Sequence, residues 1–208
     1  MRRISQPVTI AVLACALVLQ INTAWTNHNR PEPGRPYKQV RSDMVASAAA
    51  SADRVDTVVL GDSIAESIWL DGMCGTTLNA SVAGATTQQI SDLGERVFAK
   101  LRTRKVLVAI GTNDAYQGIA DDAAFEVRYD AMLERLPTRP FALVGIGNSD
   151  IANAYVKAKA AEIEAVFIPP IAPEHTTDGI HPDEKGREIW RNRAVSACAR
   201  SEKTSPLA

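Results

Sequence analysis

Short apolar runs alternate with amphipathic stretches between residues 56 and 199, and this alternation predicts strands and helices in turn. Strands are predicted where β-branched or continuously apolar residues stand together, at 56–60, 77–82, 105–110, 141–144 and 165–168. Helices are predicted where apolar residues recur at helical spacing or Ala and Lys predominate, at 88–101, 121–136, 150–164 and 183–199. Apolar strands that alternate with helices are typical of a parallel sheet covered on both faces. The pattern therefore predicts an α/β fold, a three-layer α/β/α sandwich.

The first 25 residues have a different pattern. Arg2 and Arg3 precede an apolar run from Val8 to Leu19, which is the order of regions in a signal peptide. The run is shorter than the roughly 20 residues of a spanning helix, although residues 7–25 approach that length when weaker apolar positions are included. A cleaved signal peptide over 1–25, an uncleaved N-terminal anchor and lipidation at Cys15 all remain open. Each predicts an exported protein, either periplasmic or secreted, or tethered to the inner membrane through residues 7–25.

Composition sets the broad class of the remaining chain. Residues 26–41 are rich in proline and polar residues, which predicts a linker, and 42–208 form one predicted domain. Hydrophobic residues make up 46% and charged residues 23% of the 208, so a globular rather than a disordered chain is expected. The net charge is −1 and aromatic residues make up only 5%, which argues against a nucleic-acid partner.

The cysteines and histidines indicate no metal site. No Cys/His cluster has the spacing of a zinc site, so no metal is predicted. Cys74 and Cys198 both lie within the predicted domain. In an oxidising compartment such a pair suggests a disulfide, and two independent buried thiols are the alternative.

Polar blocks follow four of the predicted strands. They are Gly61-Asp62-Ser63, Ala83-Gly84-Ala85-Thr86, Gly111-Thr112-Asn113-Asp114 and Asp178-Gly179-Ile180-His181-Pro182. The carboxyl ends of parallel strands meet at one edge of a sheet, where ligands bind in folds of this kind. These blocks therefore locate the candidate site.

The residue types in these blocks suit nucleophilic acyl transfer. The Ser63 hydroxyl needs a base to become a nucleophile, and His181 is the candidate base. Asp178 is placed to orient the imidazole, as the third member of a catalytic triad does. The backbone N–H groups of Ser63 and Gly84 and the side-chain amide of Asn113 are candidate donors to an oxyanion.

The four blocks, in this order, resemble those of the SGNH hydrolases, the GDSL family of esterases and lipases. The resemblance covers about residues 56 to 199, and Asn79–Gln89 is similar to the bacterial periplasmic thioesterase/lysophospholipase branch. It implies a five-stranded parallel sheet in the flavodoxin-like order 2-1-3-4-5 and no cofactor. It also implies Ser63 as nucleophile, with Asp178 and His181 as partners. Ser63, Gly84 and Asn113 would form the oxyanion hole.

These observations together predict an exported serine ester hydrolase, a carboxylesterase or lysophospholipase-like acylhydrolase that forms an acyl-enzyme on Ser63. The predicted partner is a small acyl ester or an acylated glycan. The alternatives are an O-acetylesterase or acyltransferase acting on envelope or extracellular polysaccharide, and a binding module without catalysis. Few large apolar residues accompany the predicted rim loops, and such an open site suits short acyl groups, such as acetyl on a glycan, at least as well as long chains. The candidates for an acyl-chain wall are Trp69, Met73, Tyr116 and Ile171.

Overall fold

Five strands form one parallel sheet in the order β2-β1-β3-β4-β5. The computed structural model describes residues 36–70, 72, 74–120 and 123–204, so the predicted signal peptide or anchor lies outside the described residues. The strands are β1 (Thr57–Gly61), β2 (Thr77–Asn79), β3 (Lys105–Ala109), β4 (Ala142–Val144) and β5 (Val166–Ile168). The predicted number, direction and order of the strands are confirmed, although β2 is three residues shorter than predicted.

Seven α-helices connect or flank these strands within the described residues. They are α1 (Tyr37–Ala52), α2 (Ser63–Glu66), α3 (Thr87–Phe98), α4 (Thr112–Tyr116), α5 (Ala123–Glu134), α6 (Asp150–Glu162) and α7 (Glu184–Thr204). The predicted helices correspond to α3, α5, α6 and α7. Among the described residues, no helix combines the length and the apolar character needed to span a membrane.

Helix α1 was not predicted, and it begins inside the segment assigned to a linker. The linker prediction is therefore wrong for residues 37–41, which are helical. The prediction failed because α1 carries no strong apolar stripe, and Val45 and Ala49 are its buried residues. Such a helix depends on tertiary contacts more than on its own pattern.

Side chains from alternate strand positions enter two separate cores. Val58 and Leu60 of β1 pack into one core with α1, α3, α5 and α6, whereas Val59 packs into the other with α2 and α7. Trp190 of α7 is the largest side chain of the second core and is 1% exposed. Since successive residues of a strand point to opposite faces, continuous apolar strands need helices on both sides. The predicted three-layer α/β/α sandwich is confirmed.

Cys74 and Cys198 are separate thiols that both belong to the second core. Cys198 is buried, and its Sγ atom lies 3.4 Å from the Lys105 Nζ atom that donates to it. Of the two interpretations that the sequence left open, the structure shows the unbridged pair.

Asp62 is a buried carboxylate at the junction of β1 and α2. Its Oδ1 atom accepts the Ile64 N–H at 3.0 Å, which caps the first turn of α2. Burial raises the pKa of Asp62 to about 6, although hydrogen bonds from Ile64 and Thr112 and the charge of His181 lower it. The cap is therefore made by a group whose charge is costly to bury.

Two buried glycines provide a matched test of the packing. A Cβ atom at Gly61 would lie 2.8 Å from the Ala109 carbonyl oxygen and 2.7 Å from Ala65 Cβ, whereas the nearest atoms at Gly94 are 3.7 Å away. We expect Gly61→Ala to lower the free energy of unfolding by about 1–3 kcal/mol because the sheet cannot move aside. Gly94→Ala, inside α3, should raise it by roughly 0.5–1 kcal/mol. Urea unfolding of both variants measures this, and equal effects would contradict the packing described.

The buried charge of Asp62 predicts a pH-dependent effect of Asp62→Asn. The folded pKa of about 6 lies above the ordinary 3.8, so stability falls as pH rises between these values. Asparagine keeps an oxygen for the Ile64 N–H and carries no charge. We expect Asp62→Asn to raise the free energy of unfolding by up to about 3 kcal/mol near pH 8 and to give no gain near pH 4. Denaturant titrations at both pH values measure it, and a pH-independent gain would contradict the cause.

Candidate active site

The first turn of α2 places Ser63 directly beyond the carboxyl end of β1. The Ser63 Oγ atom lies 2.9 Å from the His181 Nε2 atom, although the two residues are 118 positions apart in the chain. This distance is that of an ordinary hydrogen bond. The structure thus brings the predicted nucleophile and the predicted base into direct contact.

Asp178 holds the other side of the His181 ring. The Asp178 Oδ2 atom lies 2.7 Å from the His181 Nδ1 atom, and Oδ1 accepts the backbone N–H groups of His181 at 2.7 Å and Ile180 at 3.0 Å. Because a carboxylate only accepts, Nδ1 carries the proton and Nε2 presents its lone pair to Ser63. The arrangement gives His181 the tautomer that a general base needs.

The same contacts keep the Asp178 carboxylate ionised. The His181 backbone N–H, the His181 imidazole and the Ile180 N–H lower the pKa of Asp178 to about 2. Asp178 is therefore charged throughout the pH range in which most proteins are folded. The side chains of His181 and Asp178 are 46% and 53% exposed, so the site opens to solvent.

The loop that carries both residues is fixed by its own backbone. The Thr177 N–H and hydroxyl donate to the His181 carbonyl at 2.8 and 3.2 Å, and the Gly179 N–H donates to the Thr176 hydroxyl at 3.0 Å. These bonds close the loop on itself. They fix the backbone of the segment that carries the partly exposed imidazole.

Gly84 lies on the loop after β2 and Asn113 in the first turn of α4, just after β3, and both of these strands neighbour β1. The Val82 N–H donates to the Gly61 carbonyl at 3.0 Å, which places the loop of Gly84 beside the start of α2. Asn113 Nδ2 donates to the Ala85 carbonyl at 3.0 Å, and its second hydrogen can serve a substrate oxygen. The predicted oxyanion donors therefore lie on adjoining segments at the same edge of the sheet.

Asp114 fixes the helix that carries Asn113. It is 1% exposed, and its Oδ2 atom accepts the Thr87 N–H at 2.9 Å and the Thr87 hydroxyl at 3.1 Å. Burial raises the pKa of Asp114, while the bonds from Thr87 lower it. Asp114 thereby joins α4 to the first turn of α3.

A small cavity is lined by the chain neighbours of Ser63 and His181. Its volume is about 30 Å³, and the residues that line it include Ile64, Thr112, Val144, Ile171, Ile180 and Trp190. Ile64 follows Ser63 and Ile180 precedes His181, so the cavity lies at the same edge of the sheet as this pair. Of the four candidates for an acyl-chain wall, Ile171 lines this cavity, whereas Met73 lies outside the described residues. Trp69 and Tyr116 are 73% and 78% exposed.

Lys38 and Arg41 of α1 also reach the site, and the sequence analysis missed them. Arg41 Nη2 donates to the Asn79 carbonyl at 2.9 Å, and Lys38 donates to the Gly84 carbonyl. Their spacing of three residues places both side chains on one helix face. The sequence analysis did not consider this spacing because it assigned residues 26–41 to a linker. Across the described residues, no three His, Cys, Asp or Glu side chains are grouped so that they could hold a metal ion.

The sequence matches no family model and no curated protein, but the fold matches solved structures. A GDSL-like lipase from Bacteroides thetaiotaomicron matches with a TM-score of 0.60 at 18% identity, over 77% of this chain and 98% of that one. The psychrotrophic esterase EstA from Pseudoalteromonas sp. matches at 0.57 and 15% identity, over 73% and 100%.

A two-domain esterase active on acetylated mannans matches at 0.55 and 18% identity, over 80% of this chain and 54% of that one. Further neighbours include a lipase/acylhydrolase from Enterococcus faecalis. These similarities confirm the predicted resemblance to the SGNH hydrolases at the level of the fold. The chain has the α/β/α fold of the GDSL-like lipases and acylhydrolases.

Proposed function

We propose that this protein is a serine ester hydrolase that forms an acyl-enzyme on Ser63. The observation that carries the proposal is the continuous contact from Ser63 Oγ to His181 Nε2 at 2.9 Å and from His181 Nδ1 to Asp178 at 2.7 Å. A hydroxyl, an imidazole and a carboxylate in this order activate the hydroxyl as a nucleophile. The shared fold and the four sequence blocks support the same activity.

The reaction proceeds in two halves. His181 Nε2 takes the proton from Ser63 Oγ as Oγ attacks the ester carbonyl, and Asp178 stabilises the imidazolium. The tetrahedral oxyanion accepts hydrogen bonds from the backbone N–H groups of Ser63 and Gly84 and from Asn113 Nδ2. The intermediate collapses, the ester C–O bond breaks, and His181 returns the proton to the leaving alcohol. Water then attacks the acyl-enzyme by the same route and releases the carboxylic acid.

The cavity beside Ser63 supports a short acyl group as the substrate class. A volume of about 30 Å³ holds roughly two water-sized groups, which is the size of the carbonyl and methyl groups of an acetyl ester. The buried Trp190 at its wall belongs to the core and cannot move aside easily. The proposed substrates are therefore acetyl or similarly short esters rather than long-chain lysophospholipids.

The exposure of the catalytic residues favours a bulky alcohol on the other side of the ester bond. His181 and Asp178 are about half exposed, so a sugar ring can approach Ser63 from solvent. An O-acetylated polysaccharide is therefore a candidate substrate, and a sugar hydroxyl that replaces water would make the enzyme an acyltransferase. The export signals of the N-terminus support a periplasmic, secreted or membrane-tethered site of action. The N-terminal residue of the mature protein distinguishes cleavage from a retained tether.

Ser63→Ala removes the nucleophile and should abolish hydrolysis of p-nitrophenyl acetate. We expect kcat to fall by at least about a thousandfold, with Asp178→Asn causing a loss of similar order because the imidazole loses its orientation. Ser67→Ala serves as the matched control, since the Ser67 hydroxyl donates to the Ile64 carbonyl at the end of α2. Full activity in Ser63→Ala would refute the mechanism.

Ile171→Ala should enlarge the cavity and shift the chain-length preference. We expect the wild type to hydrolyse acetyl esters at least about tenfold more efficiently than octanoyl esters. We expect Ile171→Ala to reduce that ratio by about tenfold, because one further methylene that fits an apolar pocket changes kcat/KM by about that factor. Ile151→Ala is the matched control because Ile151 is 61% exposed on α6. The kcat/KM values for p-nitrophenyl acetate, butyrate and octanoate measure the ratio. A wild type that prefers octanoate would contradict the short-acyl assignment.

A further inference from the structure

The loop from Ala80 to Thr86, here called the glycine loop, is held by two basic side chains from α1. Arg41 Nη2 donates to the Asn79 carbonyl at 2.9 Å, just before the loop, and Arg41 Nε donates to the Ser81 carbonyl at 3.2 Å. Lys38 Nζ donates to the Gly84 carbonyl and to Gln89 Oε1, the latter at 3.3 Å. Helix α1 therefore contacts the loop at both ends.

Glu66 joins the same loop to the helix of the nucleophile. Glu66 Oε2 accepts the Ala83 N–H, and Oε1 lies 3.1 Å from Arg41 Nε and accepts the Tyr37 hydroxyl. The side chains of Arg41 and Glu66 are 24% and 17% exposed, so solvent screens the pair only partly. Since Glu66 lies one turn after Ser63 on α2, this carboxylate connects the glycine loop to the nucleophile helix.

These contacts hold the backbone on both sides of the peptide between Ala83 and Gly84. The N–H of Gly84 belongs to the peptide between residues 83 and 84, and each flanking peptide has a polar group bound to a charged side chain. Glu66 holds the N–H before it, and Lys38 holds the carbonyl after it. Gly84 has a φ of 73°, a conformation that glycine adopts readily and L side chains rarely do.

We propose that Lys38, Arg41 and Glu66 are positioning residues that fix the Gly84 N–H relative to Ser63 Oγ, and that α1 is thereby a working part of the active site. This inference rests on the proposed function, because it concerns the oxyanion that forms during acyl transfer. An oxyanion hole stabilises the transition state only when its donors are aligned before the reaction. Three charged side chains supply that alignment from outside the four sequence blocks.

A positioning role affects the chemical step more than substrate binding. The planar ester gains little from the oxyanion donors, whereas the tetrahedral intermediate depends on them. Loss of alignment therefore lowers kcat and leaves KM nearly constant. A purely structural contact would instead lower the thermal stability and leave both constants of the folded enzyme unchanged.

Lys38→Met, made in the full chain, tests the proposal with p-nitrophenyl acetate as the probe. We expect kcat to fall by about ten- to a hundredfold, with KM changed by less than about twofold. Lys38→Arg keeps a cationic donor and should restore most of the activity. Glu66→Gln should give the same split between kcat and KM, because the amide binds Arg41 less strongly and its acceptor oxygen is no longer charged.

Arg96→Met is the matched control. Arg96 Nη2 lies 2.7 Å from Asp43 Oδ1, so this ion pair also joins α1 to α3, but it does not touch the glycine loop. We expect Arg96→Met to retain the wild-type kcat. A wild-type kcat in Lys38→Met, or an equal loss in Arg96→Met, would overturn the positioning role while leaving the proposed hydrolase intact. A wild-type protein with no esterase activity would instead refute the proposed function, and this inference with it.

Discussion

The hydrogen bond between Ser63 and His181 joins two segments that the chain separates by 118 residues. Neither residue can reach the other through local structure, and only the parallel sheet brings their loops to one edge. Each strand of such a sheet runs in the same direction, so every loop after a strand emerges on the same side. The strand order 2-1-3-4-5 places β1 inside the sheet, where the loops after β2 and β3 flank Ser63. The proposed chemistry therefore depends on the register and direction of the strands.

The residues around this hydrogen bond are immobilised mainly by backbone and buried polar contacts. Asp178 accepts two backbone N–H groups in addition to the imidazole, and Asp114 accepts both polar groups of Thr87. Asp62 caps the nucleophile helix at the cost of a buried charge. The three aspartates of the four sequence blocks thus each accept backbone N–H groups, and Asp178 also binds the His181 imidazole. Support of this kind fixes the backbone of the proposed site, although the side chains of His181 and Asp178 are about half exposed.

The proposed preference for short acyl groups on bulky alcohols follows from a small cavity on one side of the site and open solvent on the other. The acyl side is bounded by a small cavity whose wall includes the core residue Trp190, while the alcohol side faces solvent. Helix α1 adds a third element because Lys38 and Arg41 hold the loop of Gly84, the proposed oxyanion donor.

The pattern along the chain was enough to predict five parallel strands, four of the helices that cover them and the identities of the candidate site residues. Continuous apolar strands require two covered faces, and a polar block after each strand must lie at the shared edge. Helix α1 could not be predicted in this way because its apolar pattern is weak, and its stability depends on packing against the rest of the fold. The volume beside Ser63, the state of Cys74 and Cys198, and the anchoring of Gly84 were likewise decided by tertiary structure. Each depends on side chains from distant segments, whose distances no local pattern along the chain can specify.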